Sequence, residues 1–136
     1  GANDSPATLQ LLDTKADTAE VIEPKIGRSL LIRPGPRTVS FIGSSTGASA
    51  VVKQLDPMTK KTTVITEALA GSEYLTWLPD GRMLMASGTK IWAWRDGAAG
   101  WTEVGDFASA GLTKITRLAA SPDGKWLALV AELQSK

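Results

Sequence analysis

The chain contains the stretch Ser121-Pro122-Asp123-Gly124-Lys125, which is one of three related copies of a short phrase centred on proline. The other two copies are Arg33-Pro34-Gly35-Pro36-Arg37 and Leu78-Pro79-Asp80-Gly81-Arg82. The first prolines of the three copies lie 45 and 43 residues apart. A phrase that returns at nearly constant spacing indicates a chain built from repeated structural units.

Apolar residues alternate along the sequence on both sides of each proline phrase. Because side chains of a strand point alternately to opposite faces, each alternating run can bury one face of a strand. Proline presets its own φ, aspartate can bond the backbone two residues on, and glycine accepts a positive φ. Each phrase is therefore predicted to be the turn of a β-hairpin that forms the inner two strands of a unit. The alternating positions are Leu30, Ile32, Val39 and Phe41 in the first copy, Leu75, Trp77, Leu84 and Ala86 in the second, and Leu118, Ala120, Leu127 and Leu129 in the third.

A second, weaker repeat lies between the proline phrases. Three strand-like stretches end at Asp13, Asp56 and Asp96, which are 43 and 40 residues apart, and a valine follows each aspartate eight residues later. These stretches predict a third and a fourth strand in every unit. Units of four antiparallel strands with a period of about 40–45 residues are typical of β-propeller blades. The sequence thus predicts an all-β fold with about three blades' worth of strands.

The predicted blades are not all complete. We expect a half blade of outer strands at 7–23, full blades at 26–67 and 72–107, and a half blade of inner strands at 113–132. All belong to a single propeller segment that covers the 136 residues. The third blade is therefore predicted to be split between the two ends of the chain.

Composition excludes several kinds of site. The net charge is +1 with both signs interspersed, so there is no basic patch of the kind that binds nucleic acid. The chain has no cysteine and no histidine, which removes disulfides, thiolate chemistry, Ser-His-Asp triads and most zinc sites. No apolar run reaches 18 residues, so no membrane span is expected. We therefore predict no enzymatic activity, no cofactor and no metal.

Three tryptophans are the candidate ligand-binding residues. Trp92 and Trp94 lie two apart on one predicted strand face, and Trp77 replaces smaller residues at its repeat position. Packing against a neighbouring sheet is one interpretation, and a stacking surface for a sugar or peptide is the other.

Asp80 and Asp123 are interpreted as turn residues rather than as a catalytic pair. The segment 43–47 lacks the Gly-Lys-Ser/Thr ending of a phosphate loop and is interpreted as the loop between two strands.

The stretch Ile115-Thr-Arg-Leu-Ala-Ala-Ser-Pro-Asp-Gly-Lys-Trp-Leu-Ala-Leu-Val130 resembles the repeat of TolB-like β-propellers, a WD-repeat-like class. Tyr74-Leu-Thr-Trp-Leu-Pro-Asp-Gly-Arg-Met-Leu-Met85 is a second close copy, whereas the first copy has Gly35-Pro36 in place of Asp-Gly. Such repeats occur in periplasmic scaffold proteins and in the propeller domains of prolyl-oligopeptidase-like enzymes. The resemblance implies a bacterial protein of the periplasm or the secreted fraction.

The predicted half blades leave sheet faces and strand edges exposed, and we expect the function to depend on these surfaces. We expect a non-enzymatic scaffold or protein-interaction module, which could be a fragment of a larger propeller protein. One alternative is the propeller domain of a hydrolase, peptidase or carbohydrate-active protein whose catalytic domain is absent. Another is binding of a small ligand at the mouth of the propeller channel. The two half blades complement each other, so the expected partner is another protein or a second copy, giving a homodimer with six blades.

Overall fold

The computed structural model describes residues 7–44, 50–70, 72 and 74–133, which are almost entirely β-structure. The segment 43–47, interpreted above as a loop, lies for the most part outside these residues. One 3-10 turn, Ala108–Ala110, interrupts the strands. The predicted all-β fold of antiparallel sheets is confirmed. The strands are β1 (Ala7–Asp13), β2 (Thr18–Ile32), β3 (Val39–Ser44), β4 (Ala50–Asp56), β5 (Lys61–Glu67), β6 (Leu75–Trp77), β7 (Met83–Ser87), β8 (Lys90–Trp94), β9 (Thr102–Asp106), β10 (Leu112–Ala120) and β11 (Leu127–Leu133).

The strands form three sheets in which each strand pairs with its neighbours in sequence. The first sheet has the order β1-β2-β3-β4-β5, the second β6-β7-β8-β9, and the third is the hairpin β10-β11. All pairs are antiparallel. Simple up-and-down connection of this kind is the arrangement within propeller blades.

The sheets are stacked, and an apolar cluster lies at each junction. Between the first and second sheets, Ile42 and Val52 meet Leu75, Met85 and Trp94. The opposite side of the second sheet packs on the third sheet. That cluster contains Leu84, Ala86, Ile91, Ala93, Ile115 and Leu118, with Leu127 and Leu129 at its border. The second sheet is therefore sandwiched between the first and the third, as blades are in a propeller.

Strand β2 crosses the boundary that the sequence analysis placed between a half blade ending at residue 23 and a blade starting at residue 26. Its first part pairs with β1 as far as Ile26, and its second part pairs with β3 from Ile26 to Ile32. The register shifts on both sides of Ile26. Pro24, which has no N–H to donate, lies at this irregular point. No turn separates the two parts, so one irregular strand carries the chain from the hairpin into the sheet.

The hairpin of β1 and the first part of β2 packs on the face of the strands that follow it. Leu9 of β1 joins Phe41 of β3 and Leu55 of β4 in a buried cluster. Glu23 of β2 accepts hydrogen bonds from Lys53 Nζ at 3.0 Å and from the Thr62 hydroxyl at 3.2 Å. The hairpin therefore occupies the place of a preceding half blade, although β2 joins it covalently to the first sheet.

The turns of the second and third proline phrases depend on aspartate and glycine, as predicted. Asp80 Oδ1 accepts a hydrogen bond from the backbone N–H of Arg82, and Asp123 Oδ1 accepts one from that of Lys125. Gly81 and Gly124 have φ values of 96° and 73°, a region that disfavours other residues. The prediction that both aspartates are turn residues is confirmed.

Replacing Leu75 tests the junction between the first and second sheets. Leu75 is 1% exposed in that cluster, so Leu75→Ala should lower the free energy of unfolding by about 2–5 kcal/mol. Met58→Ala, in an exposed turn, should stay within about 0.5 kcal/mol of the wild type. Urea unfolding measures both. Equal effects of the two substitutions would contradict the stacking.

The turn aspartates also predict a dependence on pH. The pKa of Asp80 is lowered by the Arg82 N–H, and that of Asp123 by the Ser121 hydroxyl and then the Lys125 N–H. Because these pKa values are lower in the folded state, their contribution to stability is present above the unfolded value of about 3.9 and lost as the pH falls through the folded value.

The urea midpoint should therefore fall as the pH is lowered below about 4. The double variant Asp80→Asn and Asp123→Asn, whose side-chain carbonyls still accept the N–H bonds, should lose less over the same range. Parallel pH profiles of variant and wild type would contradict this assignment.

Candidate functional site

An apolar surface lies open at the amino-terminal end of the stack. Leu30 and Ile32 were predicted to face a core, but they are 53% and 58% exposed. The corresponding residues of the second sheet, Leu75 and Trp77, are only 1% and 8% exposed because the first sheet covers them. The alternation was therefore predicted correctly, but burial was not, because the folded hairpin of β1 and β2 covers Phe41 and Leu55 instead. We call Leu30 and Ile32 the amino-terminal face.

A matching surface lies open at the carboxy-terminal end. Trp126 and Val130 are 76% and 56% exposed, and Ala128, which lies between them in the alternation, is exposed as well. The intervening Leu127 and Leu129 point the other way and pack on the second sheet. We call Trp126, Ala128 and Val130 the carboxy-terminal face.

Strand edges accompany both open faces. Among the described residues, β1 pairs only with β2, and β11 pairs only with β10. The sequence of β11, Leu127–Leu133, carries a single charged residue, whereas the outer strand β5 begins with Lys61 and ends with Glu67. Charged residues on edges discourage further pairing, and an apolar edge favours it.

The hairpin of β1 and β2 has the same local structure as the outer strands β4 and β5. The N–H of Asp17 donates to the Asp13 carbonyl at 2.9 Å, and that of Lys60 donates to the Asp56 carbonyl at 2.7 Å. Asp17 and Lys60 also share a positive φ, 57° and 62°. The pairing irregularities after Leu9 and after Val52 are 43 residues apart, which is the spacing of the aspartates. The amino-terminal hairpin therefore has the outer-strand structure of a blade.

Two of the three candidate tryptophans are buried around an arginine. Trp77 and Trp94 lie in the cluster between the first and second sheets, and the guanidinium carbon of Arg33 is 5.1 Å and 5.9 Å from their ring centres. Arg33 itself is buried. Such contacts combine cation–π attraction with packing. The positions of Trp77 and Trp94 favour the packing interpretation over ligand stacking, whereas Trp92 is half-buried on the same strand face as Trp94.

Polar contacts complete the surroundings of Arg33. Its Nη2 donates to Asp96 Oδ2 at 2.6 Å, and its Nη1 donates to Gln54 Oε1 at 3.0 Å. Trp77 Nε1 donates to the Ser40 hydroxyl at 2.8 Å. Arg33 thus links the first sheet to the turn that follows β8. This role could not be predicted from the sequence, because Arg33 lies in a turn motif where an exposed residue is expected.

A cleft of about 430 Å³ lies between the second and third sheets, at the ends of the strands opposite the proline phrases. It lies beside β10, the end of β7 and the segment that precedes β6. Hydroxyl groups and one ammonium group line it, so it offers hydrogen bonds to a polar ligand. The polar lining residues are Ser72, Tyr74, Ser87, Thr113, Lys114 and Thr116.

Metal-binding clusters and membrane-spanning helices are both absent from the described residues. No group of three or more acidic side chains is placed to hold a metal ion in the part of the chain that the structure describes. Across residues 7–44, 50–70, 72 and 74–133, none of the helical structure is long and apolar enough for a membrane span.

Comparison with known proteins supports the propeller fold. Neither a protein-family model nor a curated protein sequence matches the chain. The structure is similar to TolB from Acinetobacter baumannii, with a TM-score of 0.64, 19% identity, and coverage of 96% of this chain and 33% of TolB. It is also similar to a protein assigned to the gluconolactonases, with a TM-score of 0.56, 13% identity, and coverage of 94% and 57%. The chain spans about a third of TolB and somewhat over half of the second protein.

Arg33 can be tested as the link between the first two sheets. Lysine has no planar guanidinium group that can donate to both Gln54 and Asp96 while it contacts the indole rings of Trp77 and Trp94. Arg33→Lys should therefore cost about 1–3 kcal/mol of stability. Asp96→Asn should cost less than about 1 kcal/mol because Asp96 is exposed. Urea unfolding of both variants measures the difference, and an equal cost would show that the ion pair matters more than the stacking.

Proposed function

We propose that this chain is a non-enzymatic propeller segment that acts as a protein-interaction scaffold and binds through its open blade ends. The observation that carries the proposal is the pair of exposed apolar faces at opposite ends of the stack. Contiguous apolar surface of this kind marks protein contacts. Each face lies beside a strand edge that has no partner among the described residues, so a partner that supplies strands covers both.

The partner is a second copy of the chain. The amino-terminal hairpin has the structure of outer strands, and β10 and β11 form an inner hairpin that carries a proline phrase. An outer half blade of one copy and an inner half blade of another make a complete blade. Two copies then supply six blades, which is within the usual range of about four to eight, whereas one copy alone supplies only about three. A two-fold dimer is also the commonest closed assembly.

The structural similarities support the fold on which this proposal rests. TolB matches this chain over a third of its own length, so the matched part of TolB belongs to a longer protein. In a longer protein, further blades of the same chain would cover the same two faces. A monomer of this segment would favour that arrangement over pairing of two copies.

Binding of a small ligand is a second candidate function. It is supported by the cleft between the second and third sheets, whose hydroxyl groups and Lys114 could bind a polar molecule. The guanidinium carbon of Arg117 lies 5.2 Å from the ring centre of Tyr74, which is at the border of this cleft. This contact joins β10, which lines the cleft, to the segment that precedes β6.

The dimer is tested by light scattering of the purified chain. We expect a mass near twice the 14.3 kDa of one chain. Ile32→Glu should shift the mass to that of a monomer, because a carboxylate at the contact would be buried without a partner. Val104→Glu is the matched control, since Val104 is 54% exposed on the outer strand β9, and it should leave the dimer intact. A monomeric wild type at high concentration would overturn the proposal.

A further inference from the structure

The repeats assign a specific strand pairing to the contact between two copies. We infer that β11 of one copy pairs antiparallel with β1 of the second copy, with Leu127 opposite Leu12 of the second copy. This inference rests on the proposed function and adds to it the register and the contacting residues.

The register follows from the first sheet, whose proline hairpin has the same length as that of the third sheet: Ile32 pairs with Val39 and Ala120 pairs with Leu127, in each case two residues before and five residues after the first proline. In the second sheet the hairpin is one residue shorter, with Trp77 opposite Met83, and Leu84 pairs with Ala93, so the second sheet does not provide the register.

Val39 of β3 pairs with Leu55 of β4. Val39 and Leu127 each lie five residues after the first proline of a phrase, and Leu55 and Leu12 each directly precede the aspartate that ends a strand. Transferring the observed pair by these repeat positions places Leu127 opposite Leu12.

The same register places the exposed side chain of Val130 on the sheet face that points to the following sheet. Ile42 pairs with Val52, and both point to the following sheet. Their repeat counterparts are Val130 and Leu9, so the exposed Val130 lies beside Leu9 of the second copy. A slip of one residue would turn β11 over relative to β1 and separate the two side chains.

Leu9 of the second copy already packs on its own first sheet. Completing that half blade with β10 and β11 extends the covering layer inward, over the amino-terminal face of Leu30 and Ile32. The carboxy-terminal face thus meets the surface that the short hairpin leaves open.

One pair of substitutions between repeats provides independent support. In the first sheet the Thr38 hydroxyl donates to Gln54 Oε1 at 2.8 Å, across the two strands. The corresponding residues at the proposed contact are Trp126 and Leu11. Both polar residues have apolar counterparts, and the exposed indole of Trp126 would cover Leu11, which is half-buried in the described chain. A polar residue in only one of the two positions would have argued against this pairing.

Cysteine cross-linking tests the register, because the chain has no cysteine of its own. Two double variants probe adjacent pairs: Ala128→Cys with Leu11→Cys, and Leu127→Cys with Leu12→Cys. Adjacent pairs of an antiparallel ladder alternate between close and wide spacing, so at least one of these variants has the geometry of a disulfide. The matched control is Glu132→Cys with Leu11→Cys, whose strand positions are four residues out of register, or about 13 Å apart.

Oxidised samples are compared on non-reducing gels, with light scattering of the reduced variants. We expect dimers in solution, and a covalent dimer from at least one probing pair and not from the control. A dimer in solution with a cross-link only in the control, or with none in any variant, would overturn the register and leave the proposed function standing. Monomers in solution without cross-links would overturn both.

Discussion

Burial of one sheet face against the next is the interaction on which the rest of this structure depends. Leu75, Met83 and Met85 of the second sheet are almost fully covered by the first, and burying a side chain of this size contributes about 1.5–3 kcal/mol. The hairpin of β10 and β11 would be marginal in water by itself, so it depends on the second sheet for its order. The constraint applies equally to the ends of the stack, where an apolar face has no sheet to pack on among the described residues.

Polar contacts between the layers contribute more to the alignment of neighbouring sheets than to the stability of their packing. Glu23 and Lys53 lie 3.0 Å apart with side chains that are mostly buried, and they join the amino-terminal hairpin to β4. Arg33 and Asp96 join the first sheet to the second. The charges of Glu23, Lys53 and Arg33 are held away from water, and the hydration that they lose is offset by attraction only in good geometry. A sliding movement of one layer over another would break these pairs, so they fix which residues of neighbouring sheets face each other.

The sequence was informative where local chemistry decides the structure. Proline, aspartate and glycine at fixed positions specify the turns around Asp80 and Asp123, and alternation specified the strands on both sides. The continuity of β2 could not be predicted from the sequence, because its irregularity at Ile26 arises from pairing with two different strands and not from a turn residue. The exposure of Leu30 could not be read either, since a residue's burial depends on whether a neighbouring sheet is present. The role of Arg33 depends on Trp77 and Trp94, which are distant in sequence.

The unbroken course of β2 has a consequence for molecular recognition. A half blade attached through a flexible loop would sample many orientations, and a partner would have to restrict them at the cost of conformational entropy. Here the hairpin is held by Leu9 in a buried cluster and by Glu23 in two hydrogen bonds. The edge of β1, which has no partner among the described residues, is therefore held in a fixed direction. In the proposed dimer, an edge of this kind would select an added strand by its length, its register and the order of its apolar residues.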